Sequence, residues 1–577
     1  QPLIIIIITF LGYIIAYNTY GKFIAQKLFQ INPTNPVPSK TLADGQDYVA
    51  SSRQVMFGHH FTSIAGTGPI LGPAIGVIWG WLPALLWVFF GSIFMGAVHD
   101  FSTLIISMRN EGKSIADISG GVINQRVKLL FFIIVFLALL IVIAIFGLVI
   151  ALIFARFPSS VIAVWAEIPI AIAFGYLYLK GHKKLVLGTL MAITLFYGAV
   201  LLGYLAPVTL LDQSWIPATG IWTIILLVYA FIASVLPVGL LLQPRDYLNA
   251  WQLYIALGLI IIGMVVTGLT GDLNFVAPAV NLNPEGAPSM LPFLFITIAC
   301  GAISGFHCLV CSGTSSKQIS SEGDAQFVGF GSMLTEGALA TLIIIAVTAG
   351  IGIAYPTESG LLAGSEAFQL HYGSWQASAG MGSKLTAVVV GTANLMKAIG
   401  IPFGIAVAIM GVFIASFAGT TLDSATRVQR YIVRELAMTL NIRFFQNKWT
   451  ATGLAVISAA FLAFSSGANG KGALALWPMF GAVNQLLGGL ALLVATIYLK
   501  KRVGVGALVT GIPCVLIMGM TLWASCINQI NFFQSQDYVL FSINFIILGM
   551  AVVITLEVIW HLVQSARSKI DLARSTS

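Results

Sequence analysis

The chain has 577 residues, of which 58% are hydrophobic and only 8% are charged, and its mean hydropathy is +0.95. Soluble domains carry about 25% charged residues, so this composition excludes a soluble globular protein and indicates an integral membrane protein with many spans. The five cysteines lie in or near apolar segments, which excludes the framework of a secreted disulfide-rich domain.

Apolar stretches of about 20 residues cross a bilayer as helices. The sequence predicts fifteen, near residues 3–21, 61–79, 82–108, 129–155, 160–179, 185–206, 219–242, 251–271, 292–312, 327–353, 385–418, 450–466, 474–499, 505–524 and 539–563. No basic segment precedes Leu3–Tyr20 and no small-residue cleavage site follows it, so we expect a retained span and not a signal peptide. The stretch 385–418 is too long for one straight span, and Gly400 and Pro402 predict a break in it.

Basic residues concentrate in alternate loops between these spans. Of the 28 Lys and Arg residues, 24 lie in one set of loops, Arg156, Lys384 and Lys471 lie in the other set, and Lys397 lies within a span. Cytoplasmic loops are enriched in Lys and Arg, so we expect a multi-pass protein of the cell inner membrane with its C-terminus inside and its N-terminus outside. The net charge of +8 does not indicate a nucleic-acid partner, because these residues are spread over many separate segments.

The stretch Phe57–Gly80 has the length and apolar character of a span, yet residues 66–73 contain three glycines and two prolines. Irregular backbone is tolerated at membrane depth only where protein or a water-filled cavity surrounds it. A second stretch, 219–242, contains Pro237 and Gly239. Two interrupted helices that enter from opposite sides are typical of secondary transporters with inverted repeats.

We therefore expect an all-α membrane protein of about fifteen transmembrane helices with a five-plus-five inverted repeat. The expected repeats are residues 57–206 and 219–430. Residues 1–56 form an extra helix and a loop before them, and 449–577 form extra helices after them.

Each interrupted helix would present free N–H groups and the positive end of a helix dipole in mid-membrane, which suits an anion. A carboxylate would fit, from pyruvate or from a peptide C-terminus. The candidate substrate-binding residues are Ser63, Gly66, Thr67 and Gly68 at the first break and Ser234 and Gly239 at the second. The alternative at the second break is a proline kink stabilised by neighbouring hydroxyl groups.

Several long blocks carry a family resemblance. They are DGQDYVASSRQVMFGHHFTSIAGTGPILGPAIG (44–76), GAVHDF (96–101), LLLQPRDYLNAW (240–251), CGAISGFHCLVCSGTSSKQI (300–319), FAGTTLDSATRVQRY (417–431) and WPMFGAVNQLLGGLALL (477–493). In these blocks the sequence closely resembles the carbon starvation protein A family. The resemblance implies a secondary transporter related to the amino acid–polyamine–cation superfamily, with a leucine-transporter-like core. It also implies uptake of peptides or pyruvate, with protons as the expected coupling ion.

Ionisable residues inside spans are costly and are functional candidates by default. Titratable groups come from four predicted elements at similar depth: His59 and His60, His99 and Asp100, His307, and Glu336. Imidazole titrates near neutral pH. We expect a proton relay or gate among some of them, with His99, Asp100, His307 and Glu336 as the candidates, the alternative being that each histidine donates to a backbone carbonyl. A bound divalent metal is a competing interpretation, with His59, His60, His99 and Asp100 favoured over His307 with Cys308 and Cys311.

The segment 304–318 is rich in hydroxyl groups. In a leucine-transporter-like core it would be the eighth core helix, where Ser312, Thr314, Ser315 and Ser316 face carbonyls near 64–66 and hold a cation such as sodium. Lys317 would instead supply a fixed charge and make a sodium-free carrier. The plainer alternative is a helix C-terminus that reaches the cytosol.

Two further polar features remain open. Arg245 and Asp246 form either a gate ion pair, with Asp423 or Arg427 as partner, or a solvated pair at a helix end. Asn484 and Gln485 are expected to hydrogen-bond between helices.

The sequence thus predicts a carrier for a small anionic solute or peptide in the lipid bilayer, with proton or sodium as coupling ion and its oligomeric state open. A pocket of little volume favours pyruvate; a long cavity with an amine-binding acid such as Glu167 or Glu336 favours peptides. The main alternative is a membrane receptor that binds the same ligands without moving them. An enzyme is not expected, because no His-Glu-x-x-His or Gly-x-Ser-x-Gly motif is present.

Overall fold

Helices make up most of the computed structural model, which describes residues 1–179, 185–358, 360–379 and 381–575. The basic loop residues Lys180, Lys183 and Lys184 lie outside these described residues. The helices are α1 (Pro2–Ala16), α2 (Pro38–Thr41), α3 (Arg53–Ala65), α4 (Gly68–Gly76), α5 (Trp81–Gly91), α6 (Ala97–Met108), α7 (Ile115–Val122), α8 (Gln125–Arg156), α9 (Ser160–Phe174), α10 (Leu185–Leu205), α11 (Ala218–Val235), α12 (Leu242–Thr270), α13 (Met290–Thr297), α14 (Gly305–Gly313), α15 (Ser332–Thr348), α16 (Gly364–Tyr372), α17 (Trp375–Ala379), α18 (Met381–Lys397), α19 (Phe403–Thr439), α20 (Lys448–Ala463), α21 (Trp477–Val503), α22 (Leu508–Gln534) and α23 (Tyr538–Ser575).

Short 3₁₀ or π-helical turns extend or join these helices, at Tyr17–Gly21, Ile24–Leu28, Val77–Trp79, Ser92–Gly96, Gly175–Leu179, Ser315–Lys317, Glu322–Asp324, Gln326–Gly331, Gly350–Gly352, Arg443–Gln446, Lys471–Leu476 and Gly504–Ala507. The strands β1 (Tyr355–Thr357) and β2 (Gly360–Leu362) form a short antiparallel hairpin in which Tyr355 pairs with Leu362.

Eleven helical segments of the described chain are long and apolar enough to cross a membrane, or twelve when the bent pair α3–α4 counts as one span. This confirms a multi-pass helical membrane protein, while the finer count of fifteen stays a prediction. The stretch 385–418 is divided as predicted, because α18 ends at Lys397 and α19 begins directly after Pro402. Proline has no N–H to donate inside a helix, but it is well tolerated at a helix start.

Two long buried helices, α8 and α19, lie at the centre of the bundle and run antiparallel. Gly411 of α19 lies against Phe157, just beyond the end of α8. Farther along α19, the Gln429 side chain donates to the Phe136 carbonyl at 3.0 Å. α8 contains only apolar residues from 129 to 154, whereas α19 is apolar in its first half and carries Asp423, Arg427 and Arg430 in its second half. The two helices form the scaffold against which the interrupted helices pack.

The predicted interruption within 57–80 is confirmed. α3 ends at Ala65, α4 begins at Gly68, and the two segments differ in direction by 42°. Gly66 between them has φ +47° and ψ −141°, a backbone conformation that is strained for any residue with a side chain. A Cβ at this position would also overlap Thr421 Oγ1 of α19, so both conformation and packing require glycine here.

The second predicted interruption is wrong in position. α11 runs unbroken from Ala218 to Val235, and α12 begins at Leu242. Pro237 and Gly239 therefore lie in the turn between two separate spans, not within one span. The physical reason is that proline ends the helix before it, because it cannot donate an N–H to the helix and disfavours helical conformation in the preceding residue.

A different helix is the second interrupted one. α13 ends at Thr297 and α14 begins at Gly305, and the residues between them include Gly301 at φ +90°. α14 leads toward the start of α3, where Ser51 pairs with Ile319 in a single β-bridge. The two interrupted helices therefore run in opposite directions. The segment 298–304 contains one glycine and no proline, so its break carried little signal in the sequence.

The described residues between 355 and 397 form a cap over one end of the bundle. Within this cap, the Tyr372 hydroxyl donates to the Ala74 carbonyl of α4 at 2.7 Å, and the Asn394 amide donates to the Gly350 carbonyl at 3.0 Å. We call this the cap end, and we call the opposite end, where α3 begins, the Arg53 end.

Candidate functional site

A cavity of about 680 Å³ lies where the two interruptions meet. The first interruption contributes Thr67, Gly68 and Gly72 to its wall, and the second contributes Thr297 and Cys300. No Asp, Glu, Lys, Arg or His of the described chain lines the cavity. Its volume lies in the range of small-molecule sites, which are mostly apolar with a few placed polar groups.

The two interrupted helices touch at glycines. A Cβ on Gly68 would overlap the Cys300 side chain, and a Cβ on Gly72 would lie 2.8 Å from the Thr297 carbonyl oxygen. Any side chain at these positions would therefore force the helices apart. α4 begins at Gly68, so a free N–H group of its first turn and the positive end of its dipole lie at the cavity wall. Both would favour a bound anion.

Four fully buried side chains lie in mutual contact beside the second interruption, and we call them the buried relay. They are His99, Asp100, His307 and Glu336. His99 Nδ1 lies 2.7 Å from Asp100 Oδ1, and His307 Nδ1 lies 3.0 Å from Asp100 Oδ2. His307 Nε2 lies 3.3 Å from Glu336 Oε2. The relay therefore joins residues of α6, α14 and α15, as their predicted common depth suggested.

The relay ends at the cavity wall. Glu336 Oε1 accepts the Gly301 N–H at 2.9 Å, and Gly301 follows Cys300, which lines the cavity. Movement of the backbone at this interruption would therefore change the environment of Glu336 directly.

The possible metal ligands that the structure brings together differ from the predicted ones. In the described chain, ligand atoms of Cys300, His307 and Glu336 lie within 4.8 Å of one another, a donor mixture that zinc accepts. The predicted set is not gathered around one point. His59 Nδ1 instead lies 2.5 Å from Asp246 Oδ2, and His60 Nδ1 lies 2.7 Å from Ser315 Oγ.

Hydroxyl groups do lie beside the first interruption, but α19 supplies them and not α14. Thr420 Oγ1 donates to the Thr62 carbonyl at 3.1 Å, and Thr421 Oγ1 donates to the Ser63 carbonyl at 3.4 Å. α14 directly follows the second interruption, so the hydroxyl groups beside the first interruption come from a different helix from the one predicted.

The hydroxyl and lysine residues predicted near 64–66 have other partners. Ser312 Oγ donates to the Cys308 carbonyl at 2.6 Å, and Thr314 Oγ1 lies 3.2 Å from His59 Nε2. The Lys317 ammonium lies 3.8 Å from the centre of the Tyr431 ring. A lysine that packs on an aromatic face is held by a cation–π contact, so Lys317 does not point a charge into the break.

Arg245 is part of a buried ion-pair cluster. Its guanidinium lies 3.0 Å from Glu167 Oε1 and pairs with Asp423, and the Tyr229 hydroxyl donates to Asp423 at 2.7 Å. The sequence left open whether Arg245 takes part in an ion pair between helices or is solvated at a helix end. In the structure it forms a buried ion pair with Asp423. Glu167 is held by Arg245 and does not line the cavity, so it is not placed to bind a substrate amine.

Arg427 and Arg430 bind Asp47, a residue of the loop before α3. The distances to Asp47 Oδ1 are 2.7 and 3.0 Å. Burial alone would raise the pKa of Asp47, but the neighbouring Arg430 and Arg427 guanidinium groups lower it to about 2. The Asp47 carboxylate is therefore ionised throughout the neutral range.

Asn484 makes the predicted contact between helices. Its Oδ1 accepts the Phe306 N–H at 2.8 Å, and its Nδ2 donates to Ser304 Oγ at 3.0 Å. The side chain thus caps the start of α14 from α21, because it satisfies one of the free N–H groups of the first turn.

The predicted substrate residues are only partly brought together. Thr67 and Gly68 line the cavity, whereas Gly66 packs against Thr421 and Ser63 Oγ lies 2.9 Å from Ser424 Oγ. Ser234 lies at the end of α11 and Gly239 in the following turn. These two do not line the cavity, because the span that was expected to place them there is not interrupted.

Sequence reasoning missed much of the cavity wall. Cys300 belongs to the interruption that carried little signal. The aromatic residues Trp375, Trp477 and Phe532 also line the cavity. Apolar residues within spans look alike whether they face lipid, protein or a cavity, so composition does not single them out.

The sequence matches known proteins over most of its length. The sequence profile of the family "Carbon starvation protein CstA" matches residues 1–524. The chain is 32% identical to a peptide transporter CstA of Campylobacter jejuni, covering 89% of this chain and 78% of that protein. It is also 32% identical to the pyruvate/proton symporter BtsT of Escherichia coli, covering 89% of this chain and 79% of that protein.

Among solved structures, it is similar to a mutant manganese transporter of Eremococcus coleocola, with 13% identity, 91% of this chain and 99% of that chain covered, and a TM-score of 0.48. The profile match over residues 1–524 and the two long alignments at 32% identity lead to one conclusion: the chain belongs to the carbon starvation protein CstA family.

Proposed function

We propose that this protein is a secondary active transporter that imports a small carboxylate carbon source, pyruvate or a short peptide, together with protons. The observation that supports it most is the cavity between two antiparallel interrupted helices, with the buried relay behind one of them. Secondary carriers build their central sites from such helices. The cavity opens alternately to either side of the membrane.

The proposal includes a five-plus-five inverted repeat with new boundaries, residues 53–270 and 290–503. The first repeat comprises α3–α4, α5–α6, α8, α11 and α12. The second comprises α13–α14, α15, α19, α20 and α21. The opposite course of the interrupted helices and the antiparallel packing of α8 on α19 support this division. With α1, α9, α10, α22 and α23 as additions, it corresponds to fifteen spans.

The orientation follows from the basic residues. We place the Arg53 end in the cytoplasm, because Arg53, Arg109 and Arg434 lie there and cytoplasmic loops are rich in Lys and Arg. The cap end then faces outward, in the inner membrane of a bacterial cell. In this orientation the solute enters from the cap end.

The solute carboxylate is held at the start of α4, beside Thr67 and Gly68. The free amide and dipole at this helix end favour an anion. Of the two solutes that the relatives' names give, a cavity of about 680 Å³ favours the larger, a short peptide.

The coupling ion is a proton carried by the buried relay. Glu336 is bound to the backbone of the second interruption, so opening of the cavity changes the partners of the carboxyl group. A change of partners changes proton affinity, and this links proton uptake to the conformational step. Sodium at the hydroxyl groups of α19 is the alternative.

Uptake into proteoliposomes tests the function. Labelled pyruvate and labelled dipeptides are offered under an imposed pH gradient or, separately, under a sodium gradient. We expect accumulation with the pH gradient that a protonophore abolishes. Binding without accumulation under either gradient would instead identify a receptor.

Gly68 tests the site itself. In Gly68→Leu the side chain must displace Cys300, so we expect uptake to be lost. The matched control is Gly198→Leu in α10, where a Cβ has nothing within 4 Å. Uptake that survives Gly68→Leu would place the solute elsewhere.

Treatment with a chelator distinguishes proton coupling through the buried relay from a metal bound at Cys300, His307 and Glu336. Proton-driven uptake unchanged by EDTA and by added Zn²⁺ is the expected result. Uptake that requires added Zn²⁺ would make these three side chains a metal site and contradict the relay.

A further inference from the structure

We propose that α21 and α22 form a second subsite of the cavity, which binds the part of the solute beyond its carboxylate: an amide group with an uncharged, apolar side chain. This deepens the proposed function and depends on the solute being bound in the cavity. It gives helices of the C-terminal part a direct role in choosing the solute.

One face of α22 points into the cavity. Asn528, Asn531 and Phe532 line it, and the spacing i, i+3, i+4 puts them on the same side of a helix. The neighbouring residues face elsewhere. Gln529 donates to the Phe541 carbonyl of α23 at 3.2 Å, and Phe533 is 62% exposed on the outside of the bundle.

α21 and the turn before it complete this part of the wall. Trp477 and Phe480 lie on the cavity together with Leu474. Aromatic rings offer a large apolar contact area, and the amide of Asn531 offers both a donor and an acceptor. A peptide bond next to an apolar side chain matches both kinds of group.

The cavity wall, as far as the structure describes it, has no charged side chain, and this restricts the solutes that can bind. Within the described residues, no ionisable side chain other than the Cys300 thiol lines the cavity. A charged side chain on the solute would add a second ammonium group to the one that every dipeptide carries at its N-terminus, and this second group would lose its hydration without gaining a counter-ion, which is costly. The second subsite therefore selects solutes by length and by an apolar side chain, and it contributes little to pyruvate, which is too short to use it.

The test compares three solutes in proteoliposomes: pyruvate, the dipeptide Phe-Ala and the dipeptide Lys-Ala. The wild type is expected to prefer Phe-Ala to Lys-Ala. Phe532→Ala and Asn531→Leu are expected to lower kcat/KM for Phe-Ala uptake by about tenfold or more, which is typical of lost contacts in an apolar pocket. Pyruvate uptake is expected to fall much less than Phe-Ala uptake, and the pyruvate uptake that remains also shows that the variants fold.

Phe533→Ala is the matched control, because it removes the same side chain from the adjacent, outward-facing position. It is expected to leave all three solutes unaffected. The proposal is overturned by an equal loss of pyruvate and Phe-Ala uptake in Phe532→Ala, by no loss at all, or by the same loss in Phe533→Ala. It is also overturned by a wild type that moves pyruvate but neither binds nor moves Phe-Ala.

A failure of the proposed function can be distinguished from a failure of the second subsite. If the wild type accumulates no solute, calorimetric binding of Phe-Ala to the purified protein and its two variants still tests the second subsite. Weaker binding to Phe532→Ala but not to Phe533→Ala would support it, and equal binding would overturn it.

Discussion

At the scale of single residues, His307 joins two carboxyl groups that come from different helices. One ring nitrogen faces Asp100 and the other faces Glu336. All three side chains are buried, and buried ionisable groups are retained in membrane proteins mainly where they serve a function. The sequence indicated these residues, because charge within a span is visible in composition.

Asp100→Asn and His307→Ala are expected to separate solute movement from the pH gradient. Each breaks the relay, so we expect accumulation to fall by about 5- to 150-fold, the usual range of a coupling free energy. Exchange of labelled for unlabelled solute without a gradient should persist. The control is His371→Gln, a histidine of the cap that binds Ser383. Accumulation that survives both relay substitutions would contradict proton coupling through these residues.

Gly66→Asn is expected to destabilise the protein by about 1–3 kcal/mol, the cost of a strained backbone residue, and to abolish uptake. The control is Gly271→Asn at the end of α12. Gly271 also has positive φ, +87°, but its ψ of 1° is left-handed helical and its surroundings are open. Asparagine tolerates that conformation. Thermal unfolding in detergent measures both, and equal stability of the two variants would contradict the account of the first break.

At the scale of elements, the two interruptions differ in how far the sequence predicts them. The first contains three glycines and two prolines within one apolar stretch. Few structures other than an interrupted span tolerate this combination at membrane depth. The second contains only Gly301, and its position depends on contacts with Gly68, Gly72 and Glu336 from distant parts of the chain. Pro237 and Gly239 gave a stronger local signal, but they mark an ordinary turn between spans.

The loop before α3 makes contacts that the sequence did not predict. Gln46 accepts the Val238 N–H at 2.9 Å, Ser51 donates to the Gln318 carbonyl at 3.0 Å, and Asp47 binds two arginines of α19. This loop therefore joins the turn after α11, the end of α14 and α19 at the Arg53 end.

Asp47→Asn is expected to destabilise the protein, because two buried guanidinium groups lose their carboxylate. The pKa of Asp47 is lowered from 3.8 to about 2, so its contribution of roughly 2 kcal/mol is present above about pH 4 and is lost as the pH falls toward 2. The difference in unfolding temperature between wild type and variant should stay constant from about pH 5 to 8. A difference that disappears within that range would contradict an ionised Asp47.

At the scale of the whole molecule, composition and span spacing predict a many-span helical membrane protein. They do not predict which helices meet around the cavity. The wall combines α4, the second interruption and the consecutive helices α21 and α22, which come from three distant parts of the sequence. Packing between residues far apart in the sequence determines these contacts, and the local sequence of an apolar span does not indicate which helices it will contact.

In the proposed function, the cavity at the two interruptions opens alternately to both sides of the membrane. Cys300 reports on it, because its thiol lies on the cavity wall, whereas Cys308, Cys311 and Cys514 are buried. The exposed Cys526 is replaced by serine. Labelling by a membrane-impermeant maleimide is measured in oriented vesicles, from each side, with and without solute and a pH gradient.

We predict that Cys300 is labelled from the cap side, that reversing the pH gradient in the presence of solute makes it accessible from the Arg53 side, and that saturating solute slows labelling from either side. Labelling from one side only under every condition, with no protection by solute, would contradict alternating access at this cavity.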